Sequence, residues 1–346
     1  MKTDRTHSRE ALFEGVLIGT AVGDALGLAA EGLSPGVIAK RFGRVDRFRI
    51  LGSVGWVSDD TEQSALVAQS IARAGGVVPG AARAFRRAIL GWFWRLPWGL
   101  GMATLRACLR LTVGLARSGV SSAGNGAAMR SAIVGAFYRD GSARVEAARA
   151  IAEVTHTDSR AVEAAVFVAD VVAVEGAGRE RIVAALARVG NGELRSSIER
   201  ALALVERGAS MADAAKTLGN TGFVLHTIAL ASFAFAREEG RSVEEILPEL
   251  YAAGGDTDSI GAIVGAWLGA QRGVGAFPSR WVDRLQSGPF GLAHLRALAR
   301  ELAEVEATRT PRATVRFNWP WALVRNLLMY PVILAHGFRR LAPPYR

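Results

Sequence analysis

The sequence predicts an all-α protein. Ala, Leu, Arg and Glu dominate, apolar residues recur at spacings of three and four, and sustained apolar/polar alternation is hard to find. A short extended stretch between residues 45 and 54 is the one exception, too little for a sheet-based fold. Gly-rich breaks at 52–55, 75–80, 118–126, 190–192, 219–222 and 253–255 punctuate roughly ten helices. No repeat of fixed period points to a solenoid. One compact α domain over residues 10–306 is the economical reading, followed by a basic, aromatic-rich extension over 307–346.

In chain order, the first element carries Gly15, Gly19, Gly23 and Gly27, four apart. Gly weakens an isolated helix by about 1 kcal/mol relative to Ala, so a regular set of them needs a reason. At this spacing they form a bare ridge along which another backbone can approach closely. Gly261, Gly265, Gly269 and Gly273 repeat the pattern. A membrane GxxxG pair fits less well, because Asp24 and Gln271 interrupt the apolar runs. The next element opens with the acidic segment 57–64, just before the apolar run 65–71. The stripe Val162, Ala165, Val166, Ala169 and Val172 marks a helix, and similar runs follow at 181–188, 197–206 and 225–236.

The 346 residues, half of them apolar, suffice for a large buried core. The net charge of +10 suggests nucleic acid until it is located. Seven arginines and no acid follow Glu306, so the preceding body is nearly balanced. Its arginines are scattered without interleaved aromatics, and nucleic-acid binding is not expected. The single cysteine, Cys108, excludes an internal disulfide and reads as a small buried hydrophobe. The first ten residues are polar and lack the apolar core of a signal peptide, which makes a cytoplasmic enzyme the expectation.

Two acidic clusters carry the chemistry. Ser58-Asp59-Asp60-Thr61-Glu62 stands at a helix start, where a capping box with Asp59 as N-cap and Glu62 at N3 accounts for one carboxylate. Adjacent Asp59 and Asp60 repel unless a cation or a raised pKa relieves them. Gly255-Asp256-Thr257-Asp258-Ser259 repeats the pattern at another helix start. Oxygen-only ligands suit Mg²⁺ or Mn²⁺ rather than zinc, and no twelve-residue loop closed by Glu makes an EF-hand. Together the clusters suggest one two-metal site.

With these residues on the page, the chain resembles the ADP-ribosylglycohydrolase family. The resemblance rests on six blocks in the family's order: Gly19 to Gly27 with Glu31, Ser58 to Thr61, Gly124 to Arg130, Thr155-His156, Gly222-Phe223 and Gly255 to Ser259. It implies a compact all-α fold with a binuclear Mg²⁺ or Mn²⁺ centre at the base of an ADP-ribose cleft. Carried over by position, Ser58, Asp59, Asp60, Asp256, Asp258 and Ser259 are the metal ligands. Glu31, Asp59 and Asp60 are the catalytic acids. Gly124, Asn125, Gly126, Met129, Arg130, His156, Phe223 and Gly255 bind substrate. Ser58 and Ser259 stand where family members often have Thr, and Phe223 where several have Tyr. The Gly124–Gly126 loop offers backbone N–H groups to a diphosphate; read without the family, it is a turn with a helix cap.

The resemblance implies hydrolysis of the glycosidic bond between ADP-ribose and a protein side chain or small acceptor. A catalytically inactive ADP-ribose-binding member and a metal-dependent phosphohydrolase are the alternatives. Survival of Glu31 and all four Asp argues for catalysis, and the Gly-Asn-Gly loop argues against the phosphohydrolase. The tail beyond Thr310 lies outside the resemblance. It is strongly apolar and flanked by arginines, but Pro320, Arg325, Asn326 and Pro331 leave no uninterrupted apolar run of about 18 residues for a membrane span. It reads as a helix folded back on the body, or as a weak membrane-surface or partner contact.

Overall fold

The computed structural model describes residues 2–312, 315 and 318–339, so expectations about Arg316, Arg340 and Arg346 lie outside the described residues. Seventeen α-helices and two 3-10 turns make up the regular structure among the described residues, with isolated β-bridges in place of a sheet. The first half holds α1 (Lys2–Gly27), α2 (Pro35–Phe42), α3 (Asp59–Arg73), α4 (Val78–Phe93), α5 (Met102–Thr112), α6 (Ala132–Phe137), α7 (Gly141–Ala152) and α8 (Ser159–Ala173). The second holds α9 (Gly178–Leu186), α10 (Gly192–Glu206), α11 (Met211–Leu218), α12 (Val224–Phe235), α13 (Val243–Ala252), α14 (Thr257–Arg272), α15 (Ser279–Val282), α16 (Leu292–Thr308) and α17 (Trp319–Arg339).

The helices outnumber the expected ten because caps, as well as glycines, divide the chain. Asp140, Asp158 and Ser210 each accept a backbone N–H at the start of α7, α8 and α11, and Ser242 with Glu245 forms a capping box on α13. The stretch 45–54 forms no strand. It holds only the Leu51–Val54 bridge, and Gly55 beyond it bridges to Leu285.

The two glycine ridges face each other. A Cβ on Gly15 would lie 2.2 Å from the Gly269 carbonyl oxygen, one on Gly19 2.2 Å from that of Gly265, and one on Gly23 2.0 Å from that of Gly261. α1 and α14 therefore pack antiparallel, backbone against backbone, at the centre of the molecule. The Tyr251 hydroxyl, fully buried, locks the pair by donating to the Gly23 carbonyl at 2.8 Å. The remaining helices wrap this axis: α16 and α3 lie against α1, and α12 lies against α14. Trp267 of α14, 0% exposed, fills the space between Phe167 and Phe235 and donates to the Val168 carbonyl at 3.2 Å.

The C-terminal helix α17 folds back on the body, with Arg325, Asn326 and Tyr330 inward. Arg325 is buried, ion-paired with Glu62 of α3, and donates to the Pro289 carbonyl at 3.2 Å. Asn326 donates to the Arg95 carbonyl at 2.8 Å, and the Tyr330 hydroxyl to that of Pro97 at 3.3 Å. Met329 packs with Leu28 and Trp98 in a satellite core. No described helix is long and apolar enough to cross a membrane.

Candidate active site

The central ridge ends at three carboxylates. Asp24 follows Gly23 on α1, Asp258 lies in the first turn of α14, and Asp60 lies in the first turn of α3. One oxygen from each lies within 4.8 Å of the others, and all three residues are buried. Oδ2 of Asp24 accepts from Ser58 N at 2.9 Å, Thr61 N at 3.2 Å and the Thr61 hydroxyl at 2.5 Å. It thereby fastens the start of α3 to α1. Oδ2 of Asp60 accepts from the hydroxyls of Ser58 at 3.1 Å and Ser259 at 3.2 Å.

The other oxygen, Oδ1, of Asp24, Asp60 and Asp258 is buried and accepts no hydrogen bond. An unmet buried acceptor costs about 1–3 kcal/mol, more if charged, so three of them on neighbouring carboxylates call for a cation. Burial, more than any neighbour, pushes all the site's aspartates up. Asp24 rises to about 7, and Asp59, Asp60 and Asp258 stand well above the usual carboxylate range, with mutual repulsion adding to the effect. Hard oxygen ligands and net negative charge suit a divalent ion such as Mg²⁺ or Mn²⁺.

Asp24 was not among the expected ligands. In the sequence it only interrupts an apolar run; its place on the glycine ridge, one residue from Gly23, was the available signal. The cap is also corrected. Ser58, not Asp59, is the N-cap of α3, its Oγ accepting from Asp60 N at 3.2 Å. Glu62 caps nothing: Trp92 Nε1 donates to it at 2.6 Å and Arg325 pairs with it. Asp59 is thus released to point at the cavity, where Gln63 Nε2 holds its Oδ2 at 2.9 Å.

Above the carboxylates opens a cavity of about 640 Å³. Glu31, Asp59, Asp60, Asp256, Asp258 and Ser259 line it, as do Gly124, Asn125, Gly126, Met129, His156 and Gly255. The two clusters, almost 200 residues apart in sequence, therefore meet in one site. Gly255 has φ +80° and a Cβ there would strike the Asn220 carbonyl oxygen at 2.0 Å, so only glycine lets this loop turn into α14. Gly32 N donates to Gly255 O at 2.7 Å and Gly255 N to Leu33 O at 3.0 Å, which ties the Glu31 loop to the Asp256 loop. Asp256 accepts from Asn125 Nδ2 at 2.5 Å, linking the acids to the Gly-Asn-Gly wall.

That wall is a 3-10 turn, Asn125–Ala127, rather than the start of a full helix. His156 faces it, buried, and burial with the nearby Arg130 guanidinium pushes its pKa down to about 3. The imidazole is therefore neutral. Its Nδ1 lies 2.8 Å from the Thr155 hydroxyl, closer than the 3.4 Å from that hydroxyl to Ala152 O. Accepting that hydroxyl assigns the proton to Nε2, beside Gly124 and Gly126.

Three residues of the expected set stand outside the lining. Ser58 is buried behind Asp60 as the cap. Arg130, 0% exposed, donates to Gln63 Oε1 at 2.7 Å, Gly126 O at 2.8 Å and Thr155 Oγ1 at 2.6 Å. It braces Asp59 through Gln63 and His156 through Thr155. Phe223 carries the Arg160 guanidinium at 5.6 Å and meets His226 edge-on at 5.0 Å; its neighbour Gly222 lines the cavity instead.

The model of the ADP-ribosylglycohydrolase family matches residues 5–312. The chain belongs to the ADP-ribosylglycohydrolase family. An uncharacterized protein of Archaeoglobus fulgidus is 34% identical over 310 residues, covering 86% of this chain and 97% of that protein. A solved structure described as an ADP-ribosylglycohydrolase-related protein complex superimposes with a TM-score of 0.67 at 29% identity, covering 86% of this chain and 99% of its own. Membership supports a glycosyl hydrolase activity in general, and α17 lies beyond the matched residues.

Proposed function

We propose that the protein uses two divalent ions, Mg²⁺ or Mn²⁺, to hydrolyse the N- or O-glycosidic bond joining ADP-ribose to a protein side chain or small acceptor, reversing ADP-ribosylation. The observation that carries this reading is a set of three buried carboxylates, each with an unpartnered oxygen, of which Asp60 and Asp258 line a cavity walled by Gly124–Gly126 and His156 and Asp24 lies against them. Asp24, Asp60 and Asp258 would hold one ion, Asp59 and Asp256 would complete the second position, and Ser259 would add its hydroxyl. Bound ions would supply Lewis acidity and an activated water. A bond from the water oxygen to the anomeric carbon forms as the bond to the acceptor breaks, and the acceptor leaves with a proton. The proton that the attacking water gives up is the one the acceptor takes, and Glu31, which lines the cavity with Asp59 and Asp258, is placed to relay it. The neutral His156 Nε2–H and the glycine backbone are hydrogen-bond donors suited to the diphosphate. Buried Cys108, its thiol pushed up to about 12 by burial, is unreactive and agrees with a reducing, cytoplasmic setting.

The test is release of ADP-ribose from a panel of linkages, arginine and serine included, with and without EDTA, and with phosphate release followed in parallel. Asp258→Asn is expected to lower release by about 100-fold or more. Full release in EDTA, or by Asp258→Asn, overturns the metal mechanism. Binding of ADP-ribose with no release from any linkage would favour the inactive-binder reading.

A further inference from the structure

The helix α17 is amphipathic in the inverted sense. Its polar residues Arg325, Asn326 and Tyr330 turn to the body, while Trp321 (54% exposed), Val324 (41%), Leu327 (50%), Leu328 (67%), Leu334 (54%) and Phe338 (67%) form one outward face. Between Arg325 and Arg339 the helix has no charged residue. Isolated exposed apolar residues are ordinary; six large ones along one helix, with Arg325, Asn326 and Tyr330 facing inward, are not.

The apolar face continues onto two loops that α17 holds in place. Trp94 and Leu96, both exposed, flank the Arg95 and Pro97 carbonyls that Asn326 and Tyr330 bind. Leu51 and Val54, also exposed, lie between Ile50 and Trp56, which pack against the cluster of Leu28, Trp98 and Met329. The surroundings are cationic. The Leu51 loop forms a wall of a second cavity, about 970 Å³, lined by Arg44, Arg47, Arg49, Arg280 and Arg284 with one acid, Asp46, in the lining and Glu244 paired to Arg280 beside it, which leaves the arginines in excess. The chain after Glu306 carries arginines at both ends of α17 and no acid.

We infer that α17 and its two loops are a docking surface for an anionic lipid membrane, on which the protein lies without crossing. An apolar face flanked by cations is what seats in the headgroup and acyl boundary, with each nearby cation attracted to acidic headgroups. A second copy of the chain would cover the apolar strip but would set its arginines against equally basic surroundings. The same loop carries Gly99 to the cavity wall, so the docking surface and the active-site rim share one segment.

The test is flotation of the full chain with vesicles of phosphatidylcholine alone and of phosphatidylcholine with one third phosphatidylglycerol. The expected result is partition onto the anionic vesicles only, reduced at 1 M salt. Leu328→Glu/Phe338→Glu is expected to lower that partition at least tenfold, with melting temperature and ADP-ribose release from a soluble substrate unchanged. Val324→Glu/Leu334→Glu carries the same expectation from other positions on the face, so the result does not hang on the folding of one variant. Absent partition, equal partition onto neutral vesicles, or wild-type partition by both variants overturns the proposal. So does a dimer in light scattering that Leu328→Glu/Phe338→Glu dissociates, without vesicle binding, which would assign the face to a second copy.

Discussion

At the scale of single residues, the site was legible where chemistry is local in sequence and illegible where it depends on contact. Asp59-Asp60 and Asp256-Asp258 declare themselves because neighbouring carboxylates without neighbouring cations repel. Asp24 stands alone in an apolar helix, and only the packing of α1 on α14 brings its carboxylate to Asp60 and Asp258. Arg130 was read as a cleft residue because it sits in the cleft motif, yet its fork is consumed by Gln63, Gly126 and Thr155. The assignment of Asp24 can be checked directly. Asn keeps the shape and the Oδ2-type acceptor for Ser58 and Thr61, but removes a charge from the triad. Asp24→Asn is expected to weaken Mn²⁺ binding by about 10–100-fold in calorimetric titration, with the helical signal intact. Unchanged affinity would remove Asp24 from the metal site.

At the scale of elements, the glycine spacing predicted close helix packing, and the ridge is that contact. A helical Gly→Ala change ordinarily helps by up to about 1 kcal/mol. At Gly265 the added methyl would lie 2.2 Å from the Gly19 carbonyl oxygen and 3.3 Å from the Cα of Gly23, backbone atoms that cannot rotate away. Gly265→Ala is therefore expected to cost about 1–3 kcal/mol or more, and to impair the site, since the same axis aligns Asp24 with Asp258. Gly192→Ala, in the first turn of α10 with nothing within 4 Å, is the control and should be neutral or stabilising. Equal melting temperatures for the two variants would refute the packing argument. Element boundaries were less legible, because Ser and Asp caps end helices as effectively as glycines do. The inversion of α17 was not legible at all. In the sequence Arg325 and Asn326 only interrupt an apolar run, and their partners Glu62 and the Arg95 carbonyl show that they face inward.

At the scale of the whole molecule, the fold collects charge that it does not itself neutralise. The aspartates of the site are held above their unfolded value of 3.8, Asp24 reaching about 7, so without a metal the folded state binds more protons than the unfolded chain. Stability then falls as pH rises from about 4 through the folded values. Two histidines, His156 buried and His294 partly so, act in the opposite sense. His156 and His294 are depressed from 6.5 to about 3 and about 4, so their contribution grows as pH rises towards 6.5 and is complete above it. Below that point the two effects oppose each other; above it the carboxylates act alone. The melting temperature of EDTA-treated protein is therefore expected to fall between pH 6.5 and 8. Saturating Mn²⁺ should raise it by an increment that grows over the same interval, because protons no longer compete for the ligands. A rise with pH in EDTA, or a pH-independent increment from Mn²⁺, would mean that the cluster is not the place where the metal and the fold are coupled.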